Sequence, residues 1–524
     1  MKRLWLGLAL AGCVALAGLF PHVAAAEGYK DWGVGVPLSI SRGYVAADDG
    51  HGRDVVLVWL MDHRGGYGVL QINALTGESA FVPVPAGGDC PYSSLLAKNN
   101  RFYTQHGKLF LEYDPSVQKF TGVYHTANSQ LTMAMYQDRN GVIWMASYPN
   151  CELTSFDPGK RIFTEYGPLN RESWQQYPER MTGADDGWIY IGVGSSRGQI
   201  VGFYPPERKI VKLIPEDKRR NPSMGEVCRY ADGKVRGRLT DRGNRDPKKD
   251  TFGDWYLLEG GKAAVCLAPE AAPVPVNITG NAWLRHKDFP SGRKLTDISL
   301  TQRYLCYTDA EHPEPVKVTF DYPSEGSLLL GLVDAPDGTI VGASMFPHCN
   351  FILDPRTGRI EHGTTIIPQW NVLLRSGDNI FIGTYTHGGI YNYRCGEPLT
   401  WKQDRNANPH FFGFCNQEIN RPAALAITPN RKTLLMGGTP EYGCTGGGLA
   451  IADLPSGKIE VVPSSQLAPN ESISALAPLD DRLILLGTTV EAGSGGKVVA
   501  ENCSLLIYDL SQRKVIWRGK PFPK

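Results

Sequence analysis

Ten side chains able to bind an anion, polarise a bond or carry a proton recur in one kind of place along this chain. His106, Tyr148, Asn150, Arg197, His348, Tyr385, His387, Glu441 and Tyr442 all fall in short loops between two apolar stretches, and His125 closely follows another such stretch. The loops read TQHGK (104–108), SYPNC (147–151), GSSRG (194–198), MFPHC (345–349), TYTHG (384–388) and TPEYGC (439–444). A longer one, TTVEAGSGGKVVAENC, spans 488–503. Histidine and tyrosine suit proton transfer because their pKa values are readily tuned, and arginine grips a carboxylate through paired hydrogen bonds. The set fits β-elimination on an acidic oligo- or polysaccharide. Arg197 would neutralise the uronate carboxylate, His106 or His125 would take the C5 proton, and Tyr148 or Tyr385 would protonate the leaving oxygen. Asn150, His348, Tyr385, His387, Glu441 and Tyr442 would complete the ligand-binding rim. Two other readings stand beside this one. Metal-assisted hydrolysis needs several carboxylate or imidazole ligands, and the loops supply few acids, Glu441, Glu491 and Glu501; a divalent cation is compatible with the sequence but not required by it. A binding protein without catalysis, for a glycan or a protein, needs only the rim.

Such loops need a scaffold that brings distant positions together, and the chain repeats one. A turn leads into an apolar strand, then a loop, a second strand ending in Asp-Pro or a relative of it, a basic turn and a third strand. GVIWMASYPNCELTSFDPGKRIFTEYG from Gly141 is the clearest copy. GWIYIGVGSSRGQIVGFYPPERKIVKLIP from Gly187 and GTIVGASMFPHCNFILDPRTGRIEHG from Gly338 follow it, with weaker copies near Arg101, Asn379, Lys432 and Arg482. A period of about 40–50 residues with several strands per unit marks a β-propeller. The expected fold is all-β, a single propeller over 27–524 with four-stranded antiparallel blades, eight in number with seven as the alternative. Residues 224–325 would be one expanded blade with hairpins near Trp255–Cys266 and Tyr304–Phe320, and the charged stretch Arg236–Lys249 a solvated loop. Asp114, Asp157 and Asp354 before proline, with Asp186 and Asp337 before glycine, suit turns, where an Asp side chain bonds its own backbone. They are scaffold on this reading. Trp144, Trp188 and Trp517 lie in strand-like runs and read as packing.

Bulk properties narrow the function. The 524 residues carry a formal net charge of +1, which gives no electrostatic case for nucleic acid. Residues 1–26 read as an export signal: Lys2 and Arg3, an apolar run Leu4–Phe20, then Ala24-Ala25-Ala26. This implies a periplasmic or extracellular protein, with lipid attachment at Cys13 as the alternative. No later stretch is long and apolar enough for a transmembrane segment. Eleven cysteines without a Cys-x-x-Cys pair argue against structural zinc; Cys228 with Cys266 and Cys395 with Cys415 are the first disulfide candidates.

The blades from Val142 to Gly167 and from Trp188 to Leu213 resemble those of virginiamycin B lyase-like and SMP-30-like propellers. The run GGTPEYGCTGGGLAIADLPSGKIEVV, with SISALAPLDDRLILLGTT, is similar to exported bacterial propellers linked to polysaccharide breakdown. The resemblance covers roughly 90–520 at the level of blade pattern. It implies a propeller fold and, through polysaccharide-lyase propellers such as ulvan lyases, a carbon–oxygen lyase using His, Tyr and Arg around a channel. The matching candidates are His106 and His125, Tyr148 or Tyr385, and Arg197. The acidic metal cage expected of SMP-30-like lactonases is not evident in the sequence.

Overall fold

Each repeated unit folds as an antiparallel meander, because its turns sit where the strand periodicity breaks. In the computed structural model, the unit around Gly141 forms strands Leu131–Gln137, Ile143–Tyr148, Glu152–Asp157 and Ile162–Pro168, ordered in the sheet as in the chain. The structure describes residues 30–61, 67–85, 93–127, 131–241, 253–270, 273–274, 286–324, 326–345, 348–363, 368–398, 400 and 407–520. The expected export signal and Cys13 lie outside them.

Among the described residues there are nine sheets, seven of four strands, one of eight and one of three. They span 40–83, 94–125, 131–168, 177–266, 294–319, 329–362, 369–414, 421–462 and 472–519. The architecture is all-β. Residues 224–325, read from the sequence as one unit, divide between two sheets. Strands Ser223–Arg229, Val235–Thr240, Trp255–Glu259 and Lys262–Cys266 extend the sheet begun at Tyr177, while Lys294–Ser299, Tyr304–Thr308 and Val316–Thr319 form their own. Both expected hairpins are present, Trp255 opposite Cys266 and Tyr304 opposite Thr319.

The charged loop expected at Arg236–Lys249 is corrected in its first part. Arg236 and Arg238 belong to strand Val235–Thr240. Val235, Gly237 and Leu239 are buried, while Arg236 pairs with Asp232 and Arg238 with Glu226. Period-two burial made a strand of a segment whose outward residues were read as a solvated run. Residues 242–250 lie outside the described residues.

Neighbouring sheets bury apolar faces against each other. Trp59, Phe102, Leu111 and Tyr113 join the sheets at 40–83 and 94–125; Tyr103, Phe110 and Phe156 join 94–125 to 131–168. Trp144, Leu153, Ile191 and Phe203 continue the series, and a second series links 329–362, 369–414, 421–462 and 472–519. Trp144 and Trp188 are buried packing residues, whereas Trp517 is 48% exposed on its strand Lys514–Gly519.

The turn acids serve the scaffold. Asp157 Oδ1 accepts the amides of Gly159 and Lys160, both at 3.0 Å, Asp114 that of Ser116 and Asp354 that of Arg356. Asp186 and Asp337 hold the amides of Trp188 and Thr339.

Neither cysteine pair forms a disulfide; all four thiols are free. Cys228 lies opposite Arg236, Arg236 opposite Leu257, and Cys266 on the strand beyond. Two intervening strands put the sulfurs well past bonding reach. Cys395 follows Gly389–Arg394 and Cys415 follows His410–Phe414, which run antiparallel with Gly389 opposite Phe414. The two cysteines therefore sit at opposite ends of their hairpin.

Candidate functional site

Strands Asn379–Tyr385 and Gly389–Arg394 are joined by a turn of three residues. His387 occupies its tip at φ 63°, a left-handed conformation uncommon for a residue with a Cβ. Its neighbours hold it there. The His387 amide donates to Asn420 Oδ1 at 2.6 Å, and its carbonyl accepts the amides of Cys415 and Asn416, each at 3.1 Å. Asn420 is itself buried.

So fixed, the imidazole meets Glu441 from the adjacent sheet. His387 Nδ1 lies 3.0 Å from Glu441 Oε2, with side chains 11% and 3% exposed. The atoms are close but off the line of an ideal hydrogen bond. The other carboxylate oxygen of Glu441 accepts the amide of Tyr442 at 2.9 Å. A carboxylate at Nδ1 favours the tautomer with its hydrogen there and a lone pair on Nε2. Nε2 makes no hydrogen bond to the described residues.

Next to this pair, the hydroxyls of Tyr385 and Tyr442 bond each other. Arg421, exposed at the start of strand Arg421–Ile427, sets its guanidinium 4.7 Å from the centre of the Tyr385 ring. The Tyr442 ring lies 6.1 Å from Tyr177, and Tyr177 lies 4.9 Å from Tyr148. The Tyr148 hydroxyl donates to Gln175 Oε1 at 2.6 Å.

Three loops interlock around these side chains. The Gly443 amide donates to the Ser494 carbonyl at 3.0 Å, Ser195 Oγ donates to the same carbonyl at 3.4 Å, and Ser196 Oγ donates to the Gly443 carbonyl at 3.3 Å. A Cβ on Gly443, at φ +74°, would come 2.4 Å from the Ser195 carbonyl oxygen. Only glycine permits this approach. Cys444 also lies here; burial foremost, with nearby Glu441, pushes its thiol up to about 12, so it is no nucleophile at neutral pH.

Of the residues singled out in the sequence, Tyr385, His387, Glu441 and Tyr442 come together, and Tyr148 joins them through Tyr177. Asn150 is exposed in the turn after Tyr148. Arg197 sits beside Ser196, but its guanidinium is tied to Glu216: Nη1 is 2.6 Å from the carboxylate, and Nη2 donates to the Glu216 carbonyl at 3.1 Å. His106 and His125 end two strands on either side of Leu109, both opposite that residue. His125 is exposed; the His106 side chain lies outside the described residues. A polar line ties their sheet to the next, as Thr132 Oγ1 bonds Gln105 Oε1 and lies 3.2 Å from Ser147 Oγ. His106 and Tyr148 are the residues following Gln105 and Ser147. His348 lies in the loop between strands Ile340–Ser344 and Asn350–Asp354, where burial lowers its pKa to about 4. Among the described residues no three His, Cys, Asp or Glu side chains gather to hold a metal ion.

Arg421, Tyr177, Asn420 and Gln175 were not singled out. They lie at the entry to the first strand of a sheet, which meets the same end of the unit as the loop between its second and third strands. The sequence signal was a polar or aromatic residue just ahead of that strand, as in EINRP and WQQYP.

No protein-family model matches the chain, and no curated protein matches it in sequence. Solved structures with a similar course include the extracellular domain of a one-component system from B. thetaiotaomicron. It shares 10% identity over 93% of this chain and 78% of that one, with a TM-score of 0.29. Virginiamycin B lyase from Staphylococcus aureus shares 12% identity over 66% of this chain and 92% of its own, at a TM-score of 0.30. The dihydro-heme d1 dehydrogenase NirN shares 10% over 82% and 74%, at 0.27. At these scores the likenesses carry no functional assignment. Among the described residues no helix is long and apolar enough to cross a membrane.

Proposed function

We propose that the chain is an exported propeller-type protein that cleaves an acidic polysaccharide by β-elimination. The observation that supports this most is the His387–Glu441 contact beside the Tyr385–Tyr442 hydroxyl pair. His387 Nε2 takes the C5 proton of a uronate. The C5–H electron pair becomes the C4–C5 double bond as the C4–O bond breaks. Tyr442, the more open of the two tyrosines, gives its proton to the leaving oxygen. The products are one chain with an unsaturated end and one with a new hydroxyl, so no water or redox partner is consumed. Arg421 binds the uronate carboxylate, which raises the acidity of the C5 proton. Glu441 orients the imidazole and stabilises its charged form after proton transfer.

The roles first given to His106, His125, Tyr148 and Arg197 thus pass to two contacting sets that adjoin along the chain, His387 with Glu441 and Tyr385 with Tyr442 and Arg421. Arg197 is the weaker carboxylate clamp because Glu216 already occupies its guanidinium. Incubation with a panel of uronate polysaccharides, followed by ultraviolet absorbance of unsaturated ends, tests the reading. Absorbance rising on at least one substrate supports it; a flat trace on every uronate overturns it. A second reading, a glycan-binding protein without catalysis, draws on the tyrosine row and is favoured by glycan binding without unsaturated product.

A further inference from the structure

Two further tyrosines, Tyr177 and Tyr148, continue in line from Tyr442, the proton donor. Tyr148, Tyr177 and Tyr442 come from three sheets and are each only partly buried. Their rings run in sequence at 4.9 and 6.1 Å between centres, tilted 51° and then 78°. Such tilted rings expose edge and face together rather than closing on each other.

The row is held rigidly from behind. Gln176 is buried, donates its Nε2 to the Asn170 carbonyl at 2.8 Å and accepts Asn170 Nδ2 at 2.6 Å. Its amide donates to the Pro149 carbonyl at 2.7 Å, which locks the Tyr177 segment to the Tyr148 turn. On the other side, a Cβ on Gly495 would lie 2.8 Å from the Tyr177 ring, so the 493–496 loop abuts the ring edge. The exposed side chains of Gln175 and Asn150 border the row. A preformed aromatic strip with amides alongside suits a pyranose, whose C–H face packs on a ring while its hydroxyl edge seeks hydrogen bonds.

We propose that Tyr148, Tyr177 and Tyr442 form a subsite for a sugar ring next to the one that reacts. The ligand is then an oligo- or polysaccharide rather than a single acidic sugar. This rests on the preceding reading for the reacting uronate, whereas the strip itself would accept a neutral ring.

Calorimetric titration with glucuronic acid, a β-1,4-linked glucuronate hexasaccharide and cellohexaose separates the two. Binding is measured in the His387→Ala background, which should hold the hexasaccharide without cleaving it, alone and combined with Tyr177→Ala or with Tyr177→Phe, the variant that keeps the ring. The subsite predicts hexasaccharide binding at least roughly tenfold tighter than the monosaccharide. That gain should vanish in Tyr177→Ala and persist in Tyr177→Phe. A glucuronate hexasaccharide no tighter than glucuronic acid overturns the subsite and leaves the uronate reading intact. Equal loss in both variants also overturns it, since the ring would not be the binding element. Cellohexaose binding that depends on the Tyr177 ring, without binding of either uronate, supports the subsite and overturns the uronate reading. No binding by any of the three overturns both.

Discussion

His387 Nδ1 stands 3.0 Å from Glu441 Oε2, and the two side chains are among the most enclosed polar groups of the site. They come from adjacent sheets, so the contact depends on packing between repeats. Its consequence is chemical: one imidazole nitrogen is committed to the carboxylate and the other is left to act. Glu441→Gln should lower kcat by about 10²-fold or more, on the scale of general-base contributions, while KM changes little. Rates measured across pH check this, because loss of the orienting charge should move the acidic limb of the profile, where the base becomes protonated, to lower pH as well as lower its height.

Arg421 and Arg197 should behave oppositely. Arg421→Ala removes an exposed guanidinium beside Tyr385 and should raise KM for a uronate substrate by roughly tenfold or more, the scale of a charge-assisted hydrogen bond. Arg197→Ala breaks an open pair with Glu216 and should leave KM within about twofold, since exposed pairs contribute little. Steady-state kinetics on both variants decide which arginine meets the carboxylate.

Gly443→Ala should loosen the loop knot. Its Cβ would meet the Ser195 carbonyl oxygen at 2.4 Å, whereas Gly167, also at positive φ, has nothing within 4 Å. Gly167→Ala should cost about 1 kcal/mol from backbone conformation alone. Gly443→Ala should cost about 2–3 kcal/mol and also weaken ligand binding. Denaturant titration of the two variants, with binding measured in parallel, isolates the loop contact.

His348 should make stability sensitive to mild acid. Burial lowers its pKa from 6.5 to about 4, so below pH 6.5 the unfolded chain binds a proton that the folded chain still refuses. The stabilising difference is complete above pH 6.5 and is lost as pH falls towards 4, by at most roughly 3 kcal/mol. Denaturation midpoints at pH 7 and pH 4 should converge in His348→Gln relative to wild type.

The scaffold was readable because its signals are local. Asp157 and Asp354 bond amides two or three residues ahead, and such turns announce themselves in sequence. Tyr385, His387, Glu441 and Tyr442 were readable as loop residues, and the repeat implied that such loops meet. Which loops meet most closely was not readable. The Ser196–Gly443 bond joins positions 247 residues apart. Arg421 was missed because it opens a strand, and Arg197 was overrated because nothing in the sequence marks Glu216, 19 residues on, as its partner. The strand at Val235–Thr240 was hidden by two outward arginines.

The most direct test is the rate of unsaturated-end formation by wild type and His387→Ala on the same uronate polysaccharide, with circular dichroism to verify the fold. The wild type should generate the absorbance, and His387→Ala should be slower by about 10²- to 10⁴-fold. A folded His387→Ala protein that cleaves at the wild-type rate would contradict the assignment of His387 as the base.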